Sequence, residues 1–223
     1  MSFGTNWVLT DAKNMRDGEL AKLYAAAKKY GKKAHLMVVL CYNGALRVGE
    51  LVHIKVSDFN WETGKLTMIP LKKAGIKRIR QIDGTIKTID KPLPKAVEYP
   101  LHSVVMQMAR KYIKDEKVKD GFLFPGTCGR GSCFIVKLNC AGGHMAKRSV
   151  QKIFDAVAKD AGVKVPGRGI HSLKHSRARE IAEKTKDPYM VKEACRHGTV
   201  GMSDRYVKYV EFQAEIEKLG GKV

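Results

Sequence analysis

The last third of the chain opens with His171-Ser172-Leu173-Lys174-His175-Ser176-Arg177-Ala178-Arg179 and closes with Arg196-His197-Gly198 and, nine residues after His197, Tyr206. Apolar residues at helical spacing predict helices over about Leu173–Lys184, Tyr189–Arg196 and Ser203–Leu219. A spacing of four places His171 and His175 on one helical face, which also suits a zinc pair. The zinc interpretation is disfavoured, because no glutamate follows His171 as a metalloprotease motif requires.

This grouping of histidine, lysine, arginine and tyrosine suits chemistry on a phosphodiester. A tyrosine hydroxyl has a pKa of about 10 and is a weak nucleophile until a nearby base takes its proton. Arginine forks neutralise the non-bridging oxygens of the transition state, and a lysine can protonate the leaving oxygen. With enough fixed cations such a reaction needs no Mg²⁺. The phosphotyrosine bond conserves the energy of the broken strand, so it needs no ATP, and we expect no cofactor.

Four segments carry a resemblance to a known family. The run Gly169-Ile-His171-Ser-Leu-Lys174-His175 resembles a box H-x-L-R-H, and Arg196-His197-Gly198 followed by Tyr206 resembles L-G-H…Y. The run Asn43-Gly-Ala-Leu-Arg47-Val-Gly-Glu50-Leu51 resembles T-G-L-R-x-x-E-L, and Phe122-Leu-Phe-Pro125 resembles a short L-F-P segment. These are the boxes of the tyrosine recombinases, the phage-integrase family, and together they span most of that family's catalytic domain.

The resemblance implies a role for each matched residue. The catalytic set it gives is Tyr206 as nucleophile, Arg47 as first phosphate clamp, His171 as general base or acid, His197 as a hydrogen-bonding partner of the scissile phosphate, and Lys73 and Lys174. The family's catalytic lysine lies on a β-hairpin, which the run from Leu71 to Arg78 matches, and Lys73 is favoured over Lys72.

Lys174 departs from the pattern, because it stands where the family has its second arginine. Lysine keeps the charge but lacks the planar fork that holds two oxygens. By analogy with the loss of one oxyanion donor, this could slow cleavage by about 10²–10³. Arg177, one helical turn further on, is the alternative second clamp, and the sequence leaves both open.

The charge balance indicates a nucleic-acid partner. Lys and Arg number 42 against 22 acidic residues, which gives a net charge of +20. An anionic membrane surface would favour one basic amphipathic helix, whereas here the charge is spread along the whole chain. The predicted DNA contacts are Lys72, Lys77, Arg78, Arg80, Lys147, Arg148, Arg168, His175 and Arg177.

The predicted fold class is α+β, mainly α, with a small three-stranded antiparallel sheet. Alternation predicts strands at Lys65–Ile69, Ile76–Ile82 and Thr85–Ile89, and helices are predicted from Thr10 to about Tyr30, Lys33 to Asn43, Tyr99 to Asp115 and Met145 to Ala161. We expect one catalytic domain over 1–223, with a helical part at 10–57, the hairpin region at 58–91, a second helical part at 92–209 and a tail at 210–223. Only about ten residues precede the first helix, so the family's N-terminal core-binding domain is expected to be absent.

Cysteine use indicates no disulfide framework among the five cysteines. Cys128, Cys133, Cys140 and His144 fall within seventeen residues and could bind zinc, but their spacing matches no common finger. Free thiols in a loop are the favoured interpretation, and no metal site is predicted.

The function implied by the resemblance is site-specific cleavage and rejoining of double-stranded DNA through a 3′-phosphotyrosyl intermediate, as in integration or excision of a mobile element. The expected assembly is a homotetramer on DNA and a monomer or weak oligomer when free. A type IB topoisomerase and a DNA-binding protein with a decayed site are the alternatives. No run of eighteen apolar residues and no signal-peptide core occur, so the cytoplasm is expected and a membrane partner is not.

Overall fold

The computed structural model describes residues 14–16, 18–70, 75–80, 85–91, 95–126 and 143–218, with only the backbone for 75–80 and 86–91. The chain divides into two compact units. The first comprises Met1–Val48 and Val150–Val223, and the second comprises Gly49–Ser149. The predicted helix start at Thr10 lies outside the described residues, as do Lys72 and Lys73 and the three clustered cysteines. Residues 14–16 are not helical, so the predicted helix begins later than expected, at Glu19.

The described elements follow the chain in alternating helical and extended segments. They are α1 (Glu19–Lys29), α2 (Lys32–Asn43), α3 (Val48–Val52), a 3₁₀ turn (Val56–Asp58), β1 (Phe59–Asn60), β2 (Lys65–Met68), β3 (Gly75–Arg80), β4 (Ile86–Lys91), β5 (Val97–Pro100), α4 (Ser103–Asp115), α5 (Lys147–Asp160), α6 (His171–Thr185), α7 (Pro188–Cys195) and α8 (Gly201–Lys218). The mainly helical fold with a small three-stranded antiparallel sheet is confirmed.

The strands of that sheet differ from the predicted ones. Its order is β1-β2-β5, with Leu66 opposite both Phe59 and Tyr99. Strands β3 and β4 pair with each other as a separate two-stranded sheet, so the predicted hairpin exists but does not extend the β2 sheet. The prediction that a helix begins at Tyr99 is wrong, because Val97–Pro100 pairs with β2 and the helix begins at Ser103.

The first unit is built on apolar helix faces. Helix α2 buries Leu36, Val38 and Leu40, as its high hydrophobicity predicts, and it ends at Gly44. Helices α6, α7 and α8 close around a cluster of small buried side chains: Ala45, Ala178, Ala182, Val191, Cys195 and Val207. Small residues let the helices approach closely, so polar groups on their inner edges are brought together.

Arg168 is an anchor of the first unit rather than a surface cation. Its side chain is 2% exposed, and its guanidinium donates to Glu19 Oε2 at 2.9 Å, Val163 O at 2.7 Å and Asn14 O at 2.5 Å. A buried, fully oriented guanidinium offers no surface to a phosphate. The expectation that Arg168 contacts DNA is therefore contradicted by its position.

Candidate active site

Helix α6 presents two histidines at its first turn. His171 and His175 are one turn apart, and their rings meet edge-on with centroids 4.6 Å apart. The predicted shared helical face is therefore observed. It brings two imidazole rings to the same point.

Tyr206 approaches this point from helix α8. Its Oη lies 2.5 Å from His175 Nδ1, and the two rings are nearly parallel with centroids 6.2 Å apart. Burial raises the pKa of the Tyr206 hydroxyl well above its ordinary value. The hydroxyl is therefore neutral at physiological pH, and any nucleophilic role needs a base beside it.

His197 lies against the other side of the tyrosine. Its ring stacks on Tyr206 with centroids 5.8 Å apart and an angle of 18° between the planes, and its Nδ1 lies 2.8 Å from Ser203 Oγ. Burial, together with positive charge from Lys174, Arg47, His175 and Arg196, lowers the pKa of His197 to about 4. At pH 7 this imidazole is neutral, and a neutral ring donates one hydrogen bond and accepts another.

Lys174 lies inside the first unit, at the position where the family box has its second arginine. It is 2% exposed, and its Nζ donates to Ala45 O at 2.8 Å and to Cys195 O at 2.5 Å. Those carbonyls belong to the turn before Arg47 and to the end of α7. The Lys174 ammonium thus joins the three segments that carry Arg47, His171 and His197, and its charge lowers the pKa of His197.

Arg196 joins the same turn, and sequence reasoning gave it no role. Its Nη2 donates to Gly44 O and Ala45 O, each at 2.8 Å. Arg196 and Ala45 adopt left-handed backbone conformations, with φ of 54° and 44°. Glycine normally fills such positions, and the family boxes quoted above have glycine at both. The replacement of these two glycines by Arg196 and Ala45 was therefore visible in the sequence and could have drawn attention to Arg196.

Arg47 is half-buried at the end of this turn, and its charge is among those that lower the pKa of His197. Arg177 is held elsewhere on α6. It pairs with Glu180, and its guanidinium lies 5.8 Å from the centre of the Tyr42 ring. Burial alone would raise the pKa of Glu180, but hydrogen bonds from Lys184, Arg177 and Tyr42 lower it to about 2. Arg177 is therefore part of an ion-pair network.

The remaining predicted DNA contacts fall in the second unit. Lys147 and Arg148 are exposed at the first two positions of α5. Lys77, Arg78 and Arg80 lie on β3, where their backbones pair with Ile89, Thr88 and Ile86. The strand that follows Lys72 and Lys73 is thus present, while those two lysines themselves lie outside the described residues.

In the part of the chain that the structure describes, no group of three or more histidine, cysteine or acidic side chains could hold a metal ion. His144 is buried, its Nδ1 lies 2.8 Å from Met145 O, and its ring lies 4.5 Å from that of His53. None of the described helices is long and apolar enough to cross a bilayer.

Comparison with solved structures shows the fold. The XerH site-specific recombinase bound to a palindromic difH substrate superposes with a TM-score of 0.63 at 19% identity, covering 92% of this chain and 52% of that one. The Tn1549 transposon integrase in complex with transposon right end DNA gives a TM-score of 0.65 at 16% identity, covering 94% and 67%.

Comparison of sequences gives the family. The tyrosine recombinase XerC-like protein of Caldanaerobacter subterraneus subsp. tengcongensis is 24% identical over 211 residues, which are 90% of this chain and 51% of that protein. The tyrosine recombinase XerA of Pyrococcus furiosus is 24% identical over 196 residues, 88% of this chain and 57% of that protein. The chain thus spans about half the length of these relatives. Since the model of the phage integrase family matches residues 13–211, this chain belongs to that family.

Proposed function

We propose that this chain cleaves and rejoins double-stranded DNA at specific sites, with Tyr206 as the nucleophile that forms a 3′-phosphotyrosyl intermediate. Membership of the phage integrase family supports this reaction class, and the similar XerH recombinase and Tn1549 integrase were solved in complex with DNA. The biological role that we propose is integration or excision of a mobile element, carried out in the cytoplasm.

One observation carries the proposal: the hydroxyl of Tyr206 lies within hydrogen-bonding distance of His175, and its ring stacks on His197, which fixed cations influence. His175 Nδ1 lies 2.5 Å from Oη, and the His197 ring stacks on the tyrosine ring. Arg47, Lys174 and Arg196 all act on His197 through their positive charge. A dianionic phosphoryl transition state is stabilised by such preorganised positive charge.

The proposed phosphate clamp combines the half-buried guanidinium of Arg47 with buried positive charge. Arg47 is the arginine that we expect to hold the non-bridging oxygens, His197 to donate a hydrogen bond to them, and His171 to act as base or acid. Lys174 was predicted to be the second clamp. Because it is buried and its Nζ donates to two carbonyls, we propose instead that it supplies positive charge and holds the turn before Arg47. Lys73 remains the proposed acid for the leaving 5′-oxygen.

The basic residues that we propose to contact DNA are Lys72, Lys77, Arg78, Arg80, Lys147 and Arg148 in the second unit. In the first unit we propose Arg177 separately. Phosphate contacts of this kind position the duplex without reading its sequence. On DNA we propose a homotetramer, formed from a monomer or weak oligomer.

Covalent capture on a defined probe tests the function. The probe is a pool of duplexes with randomised flanks around one 5′-bridging phosphorothiolate linkage, whose thiolate leaves without needing an acid and cannot religate readily. The parent should form a denaturant-resistant adduct, and Tyr206→Phe should form none while retaining DNA binding. Tyr209→Phe is the matched control: the Tyr209 ring faces Arg179 at 5.3 Å, so this variant should react like the parent.

The outcomes separate the alternatives. A parent that forms no adduct from the pool would support a binding protein with a decayed site and refute the proposal. An adduct that still forms with Tyr206→Phe but not with Tyr209→Phe would identify Tyr209 as the nucleophile. Strand exchange between two duplexes of the enriched sequence is expected, whereas relaxation of supercoiled DNA without exchange would indicate a topoisomerase.

A further inference from the structure

The histidines around Tyr206 contact it in different ways. His197 packs its ring face against the tyrosine ring, and its Nδ1 lies against Ser203 Oγ. His175 instead directs Nδ1 at the phenolic oxygen, 2.5 Å away. A base must be within hydrogen-bond reach of the proton that it removes.

We propose that His175 is the catalytic residue that accepts the Tyr206 proton during strand cleavage, rather than a DNA contact. This proposal rests on the proposed function of Tyr206 as nucleophile. His171 contacts the His175 ring edge-on. On this proposal His171 is not the group that removes the Tyr206 proton.

The packing beneath the pair keeps this hydrogen bond in place. Tyr206 packs on the buried cluster that includes Ala178 of α6 and Val207 of α8. Both reacting groups therefore lie on helices locked against each other by small side chains. Preorganisation of this kind reduces the entropy lost on reaching the reactive geometry.

The proton balance of the step is complete. Tyr206 Oη–H gives its proton to His175 Nδ1, which requires the tautomer protonated at Nε2, and the phenolic oxygen bonds to phosphorus. The bond from phosphorus to the 5′-oxygen breaks, and that oxygen takes a proton from the general acid, proposed to be Lys73. The imidazolium at His175 returns its proton to Tyr206 on religation.

The charge that forms on His175 is set by its neighbours. The groups facing it are His171 on the same helix, Tyr206 on α8, and the neutral His197, whose pKa its charge helps to lower. Lys174, next in sequence, adds positive charge. A DNA phosphate entering this set supplies the negative charge that stabilises the imidazolium.

Two duplexes of one enriched sequence test the assignment. One carries an ordinary 5′-oxygen at the cleavage position in a nicked suicide form, and the other carries the 5′-sulfur. His175→Asn keeps an oxygen acceptor near the position of Nδ1 but cannot hold the proton. His102→Asn is the matched control, because His102 caps α4 by accepting from the Val104 N–H and asparagine caps equally well.

We expect His175→Asn to bind both duplexes like the parent and to form adducts at least about 10²-fold more slowly on each. The parent rate should rise with pH and then level off as the acceptor becomes deprotonated. The His175→Asn rate should keep rising with pH, because only hydroxide then generates tyrosinate. His102→Asn should match the parent throughout.

Three results would overturn the proposal. The first is a His175→Asn variant whose rate and pH profile equal those of the parent. The second is a slower rate that the 5′-sulfur restores, which would show that His175 acts on the leaving group. The third is a slower rate with an unchanged pH profile, which would make the role of His175 structural. A parent with no adduct at Tyr206 would instead refute the proposed function itself.

Discussion

At the scale of the residue, Lys174 shows how this chain departs from its family's boxes. Its ammonium is buried and ties Ala45 O to Cys195 O, while Arg196 ties Gly44 O and Ala45 O from the same side. Two cations therefore hold the turn that leads into Arg47. This arrangement orients the first clamp through the backbone, at the cost of burying a charge.

Lys174→Met should destabilise the protein. The substitution removes the Lys174 donor from Cys195 O and leaves Ala45 O with Arg196, at a cost of about 1–3 kcal/mol, partly offset because no charge is buried. A net loss of about 1–3 kcal/mol would lower Tm by roughly 3–9 °C for a chain of this size. Thermal unfolding followed by circular dichroism measures it.

Lys184→Met is the control for that change. Lys184 lies on the same helix, but its side chain is 70% exposed and pairs with Glu180 at the surface. We expect a loss within about 0.5 kcal/mol. Equal stability of the two methionine variants would contradict a structural role for Lys174.

At the scale of the element, helix α7 is short but positions two groups of the site. It ends at Cys195, whose carbonyl accepts a hydrogen bond from Lys174 Nζ. Arg196 follows in the left-handed conformation, and His197 comes directly after it. Its start is fixed by Pro188 and by Asp187, whose carboxylate accepts from the Tyr189 N–H at 2.7 Å. A helix of eight residues depends on such end contacts, because it is too short to be stable alone.

Asp187→Ala should therefore cost about 1 kcal/mol of stability, or a fall in Tm of roughly 2–4 °C. Asp187→Asn keeps the capping oxygen and should cost only a few tenths of a kcal/mol. Chemical denaturation of parent and both variants measures the difference. If alanine and asparagine are equally tolerated, the cap does not support α7.

At the scale of the whole molecule, the excess of positive charge should govern DNA affinity. The net charge is +20, and each phosphate neutralised on a duplex adds about −0.9 to the slope of log K against log salt. We expect a slope steeper than about −4, measured by fluorescence anisotropy on a labelled duplex. A slope near zero would show that the basic surface does not face DNA.

A pair of double variants locates that surface. Lys147→Gln with Arg148→Gln removes the exposed cations at the start of α5 and should reduce the slope by about 1–2. Lys28→Gln with Lys29→Gln removes two exposed cations at the end of α1, outside the proposed contacts, and should leave it unchanged. If only the variant with Lys28→Gln and Lys29→Gln reduced the slope, α1 would be the element that contacts DNA.

Local sequence determined most of the elements and the family. Helical periodicity predicted α2, α5, α6, α7 and α8 nearly to their ends, and the spacing of His171, His197 and Tyr206 identified the family that the comparisons show. These features rest on residues close together in the chain, where periodicity and motif spacing are direct signals. The strands β3 and β4 were likewise predicted from alternation in two runs that follow closely in the chain.

Only the tertiary structure decided which polar groups meet. Strand β5 pairs with β2 although residues 69–96 separate them in the chain, and no local pattern reports such a pairing. The burial of Lys174 and Arg168 depends on carbonyls and a carboxylate more than a hundred residues away, at Ala45, Asn14 and Glu19. The contact of His175 with Tyr206 likewise required two helices to pack at a fixed angle, because a motif gives residue types and spacing but not the direction of a side chain.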